Sequence, residues 1–426
     1  MRSTIPGAEF TESLAYRTRA LRHLAYGVSS TPRGNQRPVP IVVERAEGAW
    51  ITDADGNRFI DYAMGYGPLI LGHSPEPVLR AIRAELDRGL RTASVHRGEA
   101  ELAELIVACV PSAELCAFVS TGTEAVQLAL RVARAGTGRV KVVKFRSNYH
   151  GWFDNVHVAG RPGADGPGTI GQDPGAAASL TLLDWGDADA LDAALDHSFA
   201  AVLLEPAAIN SGCFAPPPGF LERARAATHR VGAALIFDEV ITGFRMGLGG
   251  AQARYGVLPD VTVLGKALGA GLPIGVVAGT RAAMQPLADG SLFHRGTFNG
   301  NPVSIAAAIA CLRTLMDEGG TLFPRMEHQA ATLAGHVGAE AVRLGVAVCA
   351  RQCGPMLQLF GGTREMATIA DLPRSSRAAT AVLTEALLVR SVQAIPRGLM
   401  YLSSAHGDAE IEATKRALTG ALEAIR

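Results

Sequence analysis

Short apolar runs alternate with longer amphipathic stretches along the middle of the chain, from Phe118 to Val277. This rhythm is typical of parallel βαβ units, because each buried strand is followed by a helix that covers one face of the sheet. We therefore predict an α/β fold with a large, mostly parallel sheet covered by helices. The predicted strands are Val140–Phe145, Ala201–Leu204, Ala234–Phe237, Val261–Leu264 and Ile274–Ala278. The predicted helices are Glu124–Ala135, Gly219–Val231 and Pro302–Leu315.

The patterns at the two chain ends differ from the middle. Val42–Thr52 and Arg58–Tyr62 flank turn-forming residues and predict a hairpin. Further elements are predicted near the C-terminus: helices over Thr321–Leu344 and Thr380–Ser391, and strands over Met356–Phe360 and Met400–Ser403. We therefore predict a small α+β domain built from residues 1–65 and 316–426, with a large domain of residues 66–315 between them.

Composition narrows the possible partners. Of 426 residues, 48% are hydrophobic, and 40 basic side chains balance 40 acidic ones. A neutral chain without basic runs favours neither nucleic acid nor an anionic membrane as a partner. The first 20 residues lack the apolar core of a signal peptide, and the six cysteines are scattered without metal-ligand spacing. We expect a cytoplasmic protein with reduced thiols and without a metal site. The Gly- and Pro-rich segment Gly160–Ala178 predicts a long surface loop.

Two charged residues follow neighbouring predicted strands. Asp238 ends the run Ala-Ala-Leu-Ile-Phe-Asp, and Lys266 emerges from an apolar strand into a Gly-rich turn. Ligands bind at the carboxyl ends of strands in open α/β sheets, and a partly desolvated lysine there suits Schiff-base chemistry. Taken singly, Lys266 could be a solvated loop lysine and Asp238 a helix cap.

Two further motifs also follow strands. Ser120-Thr121-Gly122-Thr123-Glu124 leads into a helix whose first turn could bind a phosphate group, although the same residues could simply cap the helix. Asn148-Tyr149-His150-Gly151-Trp152 places an aromatic ring after the strand Val140–Phe145. By itself, Tyr149 could equally be a core or surface residue.

Together, in order and spacing, these motifs resemble the class III pyridoxal-phosphate (PLP) aminotransferases of fold type I, over nearly the whole chain. The resemblance rests on Asp238 to Arg245, Gly265 to Gly269 and Gly296 to Pro302. Gly65-Tyr66-Gly67-Pro68 and Leu402 to His406 are similar to the glutamate-1-semialdehyde aminomutase branch of that family.

The resemblance implies a role for each matching residue. Lys266 would carry PLP as a Schiff base and move the substrate proton, and Asp238 would keep the pyridine nitrogen protonated. The other implied contacts with the cofactor are Gly122 and Thr123 at the phosphate, Tyr149 and Val240 on the two ring faces, and Glu205 and Asn210 near the phenolic oxygen. Thr297 would reach the phosphate of a neighbouring subunit, so the resemblance implies a homodimer with its active site at the subunit interface.

Two arginines are the candidates for binding substrate carboxylates. Arg33 aligns, imperfectly, with the carboxylate-binding arginine of the branch, and Arg397 precedes the Leu402 motif. Aminomutases carry Phe followed by Glu at the latter place, whereas here Gly398 replaces that Glu, and Trp152 replaces a usual His. These departures resemble the β-phenylalanine and D-phenylglycine aminotransferases. Either arginine could instead be an ordinary loop residue.

The expected activity is therefore transfer of an amino group from a β-amino or aryl-substituted amino acid to a 2-oxo acid, both small molecules. Glutamate-1-semialdehyde 2,1-aminomutase is the alternative, because the two chemistries use the same cofactor residues. A binding protein that had lost catalysis would lack Lys266 or Asp238, and both residues are present.

Overall fold

The structure, a computed structural model, describes residues 9–160 and 164–426. The chain divides into two compact units: Glu76–Phe323 forms one, and the segment ending at Pro75 together with Pro324–Arg426 forms the other. These limits do not by themselves define folding domains, so the domain boundaries after residues 65 and 315 stay a prediction.

In chain order the strands are β1 (Val43–Glu47), β2 (Trp50–Asp53), β3 (Arg58–Asp61), β4 (Leu115–Val119), β5 (Lys141–Phe145), β6 (Leu180–Leu183), β7 (Phe199–Leu204), β8 (Ala234–Asp238), β9 (Val261–Gly265), β10 (Gly275–Gly279), β11 (Val348–Gln352), β12 (Met356–Gly361), β13 (Val392–Gln393) and β14 (Leu399–Tyr401). The α-helices are α1 (Thr11–Ala20), α2 (Glu76–Leu86), α3 (Arg97–Cys109), α4 (Gly122–Thr137), α5 (Ala188–Ala194), α6 (Ile209–Gly212), α7 (Phe220–Val231), α8 (Gly250–Tyr255), α9 (Arg281–Ala288), α10 (Pro302–Leu344), α11 (Arg377–Leu388) and α12 (Asp408–Ala424). Short 3₁₀ helices cover Ala25–Gly27, Thr31–Asn35, Met64–Tyr66, Lys266–Gly269 and Ile369–Arg374.

The unit Glu76–Phe323 is built on a seven-stranded sheet with the strand order β4-β10-β9-β8-β7-β5-β6. Strands β9, β8, β7, β5 and β6 are parallel to one another, which confirms the predicted α/β class with a mostly parallel sheet. The exception is β10, which is antiparallel to both β4 and β9. The reason is chain length: residues 266–274 are too few for the crossover that a parallel connection needs.

The strand register brings several carboxyl ends to one edge of this sheet. Gly275 pairs with both Val119 and Gly265. The carboxyl ends of β4 and β9 therefore lie at the same edge of the sheet, with β10 between them. Asp238 pairs with Val263, which places the end of β8 beside the end of β9. A ligand that binds at this edge therefore meets residues from widely separated parts of the sequence.

Helix α4 is held in place by its apolar face. Val126, Leu130 and Val132 are buried in one cluster with strand residues such as Val142 and Ile236. Complete burial of each large apolar side chain contributes about 1.5–3 kcal/mol. This burial holds α4 against the sheet, and it thereby fixes the position of the first turn of α4 at the end of β4.

Two expectations for individual elements are corrected. Val42–Thr52 forms two strands, β1 and β2, because Gly48 turns the chain with a φ of +56°. The helices predicted to end at Leu315 and begin at Thr321 are one helix, α10. Its glycines cost about 1 kcal/mol each in a helix, but apolar residues around them, including Leu322, are buried and offset that cost.

The second unit contains two smaller sheets, ordered β1-β2-β3-β13 and β11-β12-β14. Strand β13 pairs in parallel with β3, which joins the two ends of the chain in one sheet. None of the six cysteines, all of which lie within the described residues, forms a disulfide; Cys213, Cys311 and Cys353 are buried, and the other three are half-buried. In the ranges 9–160 and 164–426, no helix has the length and apolar character needed to cross a membrane. Part of the predicted loop Gly160–Ala178, residues 161–163, lies outside the described residues, as does the start of the chain.

Candidate active site

Three ionisable side chains stand at the ends of neighbouring parallel strands. Glu205 follows β7, Asp238 is the last residue of β8, and Lys266 follows β9. Because β7, β8 and β9 are adjacent, the three residues lie along one edge of the sheet. This is the edge at which open α/β sheets bind their ligands.

Lys266 begins a 3₁₀ turn with a strained backbone. Its φ is +42°, in the left-handed region, whereas Gly265 before it is extended. For a residue other than glycine, such a conformation costs of order 1–3 kcal/mol and is found mainly where the surroundings enforce it for function. The side chain is half-buried, so its amine is neither fully solvated nor sealed in the core.

Asp238 is a buried carboxylate with two hydrogen-bond donors. Oδ1 accepts a hydrogen bond from the backbone N–H of Val240 at 3.1 Å, and Oδ2 lies 2.7 Å from Nδ1 of His150. Only about 5% of the Asp238 side chain is exposed. A buried carboxylate needs such donors to stay ionised.

The N-terminus of α4 is capped as its sequence predicts. Thr121 accepts from the backbone N–H of Glu124 at 3.2 Å, and the Glu124 carboxylate accepts from the backbone N–H of Ser120 at 2.9 Å. Capping does not exclude phosphate binding, because the amides of Gly122 and Thr123 belong to the first turn and lack intrahelical acceptors.

Two glycines let backbone and side chains approach closely at this helix end. A Cβ on Gly122 would lie 3.2 Å from both methyl carbons of Val240. A Cβ on Gly151 would lie 2.8 Å from Oγ1 of Thr123, and Gly151 also has a φ of +100°. The predicted phosphate residues Gly122 and Thr123 therefore lie close to the predicted ring-face residue Val240 and to the segment that carries Tyr149.

Glu205 organises the turn after β5. Its Oε1 accepts from the backbone N–H of Tyr149 at 2.7 Å and from Nδ2 of Asn210 at 3.1 Å. Its own backbone N–H donates to Oδ1 of Asn148 at 3.0 Å. Burial raises the pKa of Glu205, and the nearby charge of Asp238 raises it further, while His150 lowers it.

Tyr149 is 47% exposed, which leaves part of its ring available to a ligand. One edge is fixed by a T-shaped contact with His157, with ring centroids 6.3 Å apart. Burial raises the pKa of the phenol, as does the charge of Asp238.

A buried lysine, Lys144, lies near the end of β5 and binds the backbone of the turn that follows this strand. Its Nζ donates to the carbonyl oxygens of Phe145 and Asn148, each at 3.1 Å. Burial lowers the pKa of Lys144 to about 8, and the Glu205 carboxylate opposes that shift.

Three predicted site residues belong to other segments of the chain. Thr297 is exposed in the segment between α9 and α10, so its contact with a neighbouring subunit stays a prediction. Arg33 and Arg397 belong to the other compact unit and are exposed. In that unit Arg33 lines a cavity of about 530 Å³ together with Tyr66. Burial raises the pKa of Tyr66, and the charges of Arg33 and Arg397 both lower it, so both guanidinium groups lie near this phenol.

The cluster in Glu76–Phe323 offers a donor set that fits PLP. The first turn of α4 supplies amides for a phosphate, Asp238 a buried anion for a ring nitrogen, and Lys266 an amine for an aldehyde carbon. The space next to Gly122 and Gly151 would be filled by any larger side chain. Within the described ranges, no group of three or more His, Cys, Asp or Glu side chains could hold a metal ion.

Two residues of these clusters were not assigned roles from the sequence. His150 lies within the Tyr149 motif, and Tyr66 lies within the Gly65 motif. Each is a polar residue within a motif that sequence analysis singled out, so the motif pointed to the right segment without assigning a role to the residue. Only the geometry showed that His150 contacts Asp238 and that Tyr66 lies near two arginines.

Comparison with known proteins supports this description. Residues 31–341 match the family described as aminotransferase class III. The chain is 39% identical over 410 residues to a glutamate-1-semialdehyde 2,1-aminomutase of Ignicoccus hospitalis, which covers 94% of this chain and 96% of that protein.

Solved structures are also similar to this chain. An omega-transaminase from Sphaerobacter thermophilus is 32% identical with a TM-score of 0.90, and the match covers 97% of this chain and 98% of that one. A beta-phenylalanine aminotransferase from Variovorax paradoxus is 29% identical with a TM-score of 0.86, covering 96% and 93%. A further similar structure is a transaminase with PLP bound, at 29% identity and a TM-score of 0.90, covering 98% of both chains.

Proposed function

The chain belongs to the class III aminotransferase family and is a PLP-dependent enzyme of that type, and from this premise we propose its reaction. It moves an amino group from a β-amino or aryl-substituted amino acid to a 2-oxo acid. The observation that carries the proposal is the alignment of Glu205, Asp238 and Lys266 at the ends of three adjacent strands, beside the first turn of α4.

In this proposal each residue has a task that its environment favours. Asp238, buried and held by two donors, would present its carboxylate to the ring nitrogen and help to keep that nitrogen protonated. The bound cofactor supplies an electron-withdrawing ring that accepts the electron pair of the broken substrate C–H bond. Nζ of Lys266 holds the cofactor before substrate binds and afterwards carries the substrate proton as general base and acid.

Substrate carboxylates would be bound by Arg33 and Arg397. Guanidinium groups bind carboxylates through two parallel hydrogen bonds, and Tyr66 lies close enough to both arginines for each charge to lower its pKa. A transaminase handles two substrates in turn, so two cations serve an amino acid and a dicarboxylic 2-oxo acid better than one. The proposed acceptor is 2-oxoglutarate or pyruvate, and of the two only 2-oxoglutarate has a second carboxylate for the second arginine.

Gly398 gives a second reason to favour the aminotransferase. Its φ is +91°, and a Cβ there would lie 2.4 Å from the carbonyl oxygen of Leu359. No side chain fits this backbone, so the chain cannot present the glutamate that the aminomutase pattern has at this position. Gly398 also fixes the turn that carries Arg397.

Glutamate-1-semialdehyde 2,1-aminomutase is the second candidate. It is favoured by the relatives that are 38–42% identical and carry that name. An aminomutase moves nitrogen within one molecule and needs no external acceptor.

A screen of half-reactions distinguishes the two candidates. The purified PLP form is mixed with single amino donors, including β-phenylalanine, phenylglycine and glutamate, and the cofactor absorbance is followed without acceptor. We expect an aryl or β-amino donor to convert the cofactor to its amino form, and a 2-oxo acid to reverse the change. Efficient interconversion of glutamate-1-semialdehyde and 5-aminolevulinate without an acceptor, together with inert aryl donors, would select the aminomutase.

The active form is proposed to be a homodimer with the site at the subunit interface. Phe298, next to Thr297, is 64% exposed, and Trp152 is 72% exposed, and aromatic side chains are enriched at protein interfaces. Size-exclusion chromatography with light scattering measures the mass directly, and a monomer with full activity would contradict this part of the proposal.

A further inference from the structure

The cavity of about 530 Å³ beside Arg33 contains a second guanidinium group, that of Arg17 on α1. The Arg17 side chain is half-buried, and its Nη1 atom is buried without a hydrogen-bond partner among the described residues. Burying a charged donor costs free energy unless an acceptor satisfies it. An anion bound in the cavity would supply the acceptor that Arg17 lacks.

Helix α1, which carries Arg17, is fixed by the hydrogen bonds of its first turn. The carboxylate of Asp55 accepts from the backbone N–H groups of Glu12 and Ser13, at 2.7 Å and 3.2 Å. Oγ of Ser13 accepts from the backbone N–H of Val42 at 3.1 Å. Ser13 is fully buried, and Arg17 follows it by four residues, so both lie on the same face of the helix. An anchored helix therefore sets the position of the guanidinium group.

Tyr26 lies against Arg17 and against the turn that carries Arg33. Cζ of Arg17 is 5.7 Å from the centroid of the Tyr26 ring. The Tyr26 hydroxyl donates to Oδ1 of Asn35 at 3.2 Å, and a Cβ built on Gly34 would lie 2.5 Å from a carbon of the ring. The φ of Tyr26 is +58°, a strained conformation that is found mainly where the surroundings enforce it for function. The ring thus links one arginine of the cavity to the turn of the other.

The charged groups that line the cavity are two arginines and one carboxylate, that of Asp61. Asp61 already has donors, because it accepts from the backbone N–H of Ala63 at 2.7 Å and lies 2.8 Å from Nε2 of His73. The walls include the buried side chains of Ile51 and Ile395. Apolar walls with a few fixed polar groups are typical of sites for small organic molecules. An organic carboxylate with an apolar body complements this cavity.

We propose that Arg17 and Arg33 together bind the carboxylate of the amino donor, and that the apolar walls of the cavity contact the donor's aryl group. This inference rests on the proposed function, because it takes the donor as the ligand. Arg17 is then a specificity-determining residue: it adds a charge-assisted hydrogen bond to the carboxylate, so that amino acids are preferred to amines without a carboxylate. Arg397 stays the proposed partner of the acceptor's carboxylate.

Binding can be measured with a ligand that does not react. 3-Phenylpropionate is β-phenylalanine without its amino group, and 3-phenylpropanamide is the uncharged counterpart. In calorimetric titrations of the PLP-loaded enzyme we expect 3-phenylpropionate to bind and the amide to bind much more weakly.

Arg17→Met keeps the length and the apolar stem of the side chain and removes its charge. It should weaken binding of 3-phenylpropionate about ten-fold to a hundred-fold, as loss of one charge-assisted hydrogen bond implies. Arg17→Lys should retain part of the affinity, because it keeps the charge and loses the planar fork. Arg22→Met, which changes an exposed arginine just beyond α1, is the control and should leave Kd unchanged. Wild-type affinity of Arg17→Met for 3-phenylpropionate would overturn the inference.

The half-reaction with β-phenylalanine separates a binding role from a structural one. Arg17→Met should raise the donor concentration that gives half the maximal rate, and it should leave the maximal rate within about two-fold of wild type. A structural role would instead lower the maximal rate and the Tm, and that result would contradict the inference.

Failure of the inference and failure of the proposed function give different results. If the wild type converts its cofactor with an aryl or β-amino donor and Arg17→Met does so at the same donor concentrations, the inference is wrong and the proposed function stands. If no such donor converts the cofactor of the wild type, the proposed function is wrong, and the assignment of the cavity to the donor is wrong with it.

Discussion

Gly122 and Val240 lie against each other: a Cβ built on Gly122 would be 3.2 Å from both methyl carbons of Val240. One residue opens the helix proposed to bind the phosphate, and the other is proposed to pack on the cofactor ring. A substitution at either residue should therefore affect the binding of both the phosphate group and the ring of the cofactor.

We predict that Gly122→Ala weakens PLP binding, because the added methyl pushes Val240 by a few tenths of an ångström. Overpacking of this kind costs about 1–3 kcal/mol, or roughly five-fold to a hundred-fold in Kd. The measurement is titration of the apoenzyme with PLP. Gly136→Ala is the matched control, since Gly136 lies in the same helix and a Cβ there meets nothing within 4 Å. The double variant Gly122→Ala/Val240→Ala should recover only part of the affinity, because it relieves the contact but also removes packing of Val240 on the ring. Equal affinity of Gly122→Ala and wild type would show that Val240 yields without consequence.

The attachment of PLP to Lys266 can be tested by borohydride reduction followed by peptide mapping. The lysines of this chain are Lys141, Lys144, Lys266 and Lys415. We expect the cofactor mass on Lys266 alone, because Lys144 is buried and bound to two carbonyl oxygens. Lys266→Ala should remain folded by circular dichroism and lose turnover, and multiple turnovers by that variant would rule out the assignment.

Arg397→Ala is expected to raise KM for a dicarboxylic acceptor strongly and to affect the half-reaction with an aryl donor much less. Loss of a bidentate pair from a partly desolvated site weakens binding by roughly 2–4 kcal/mol, about thirty-fold to nearly a thousand-fold. Both half-reactions must be measured separately. Arg374→Ala, which removes an exposed arginine paired with Asp371, is the control. An unchanged KM for the acceptor would show that Arg397 does not bind the substrate.

The buried histidine His406 should make the protein sensitive to acid. Burial lowers its pKa from 6.5 to about 4, although Asp61 and Glu410 oppose the shift. Between these pH values the unfolded chain binds a proton that the native protein does not, so stability is lost as pH falls from 6.5 to about 4. The loss is of order 3 kcal/mol for this group.

Thermal unfolding of wild type and His406→Asn over pH 4–7 tests this prediction. Asparagine can place its carbonyl oxygen at the position of Nδ1, which accepts from the backbone N–H of Ser403 at 3.0 Å. We expect His406→Asn to lose less stability than the wild type on acidification. His336→Asn, a half-buried histidine on α10, should keep the slope of the wild type. If the stability of His406→Asn and of wild type fell equally with pH, His406 would not be the cause of the loss of stability at acidic pH.

Local patterns were sufficient to predict the α/β class and most strands of the large sheet, and they indicated which residues to propose as cofactor contacts. Strand periodicity and the motifs around Asp238, Lys266 and Gly122 depend on residues close together in sequence. The capping of α4 by Thr121 and Glu124 is local for the same reason. Their functional roles still await the experiments above.

The tertiary structure decided what depends on distant residues. Strand β10 is antiparallel because its connection to β9 is short and β4 is available on its other side. Helix α10 continues through its glycines because buried apolar neighbours compensate for weak local propensity. The pairing of His150 with Asp238 joins residues 88 positions apart, and it exists only because β5, β7 and β8 end at the same edge of the sheet. Sequence periodicity reports which face of an element is buried, whereas the partner of a buried polar atom is set by how the elements pack.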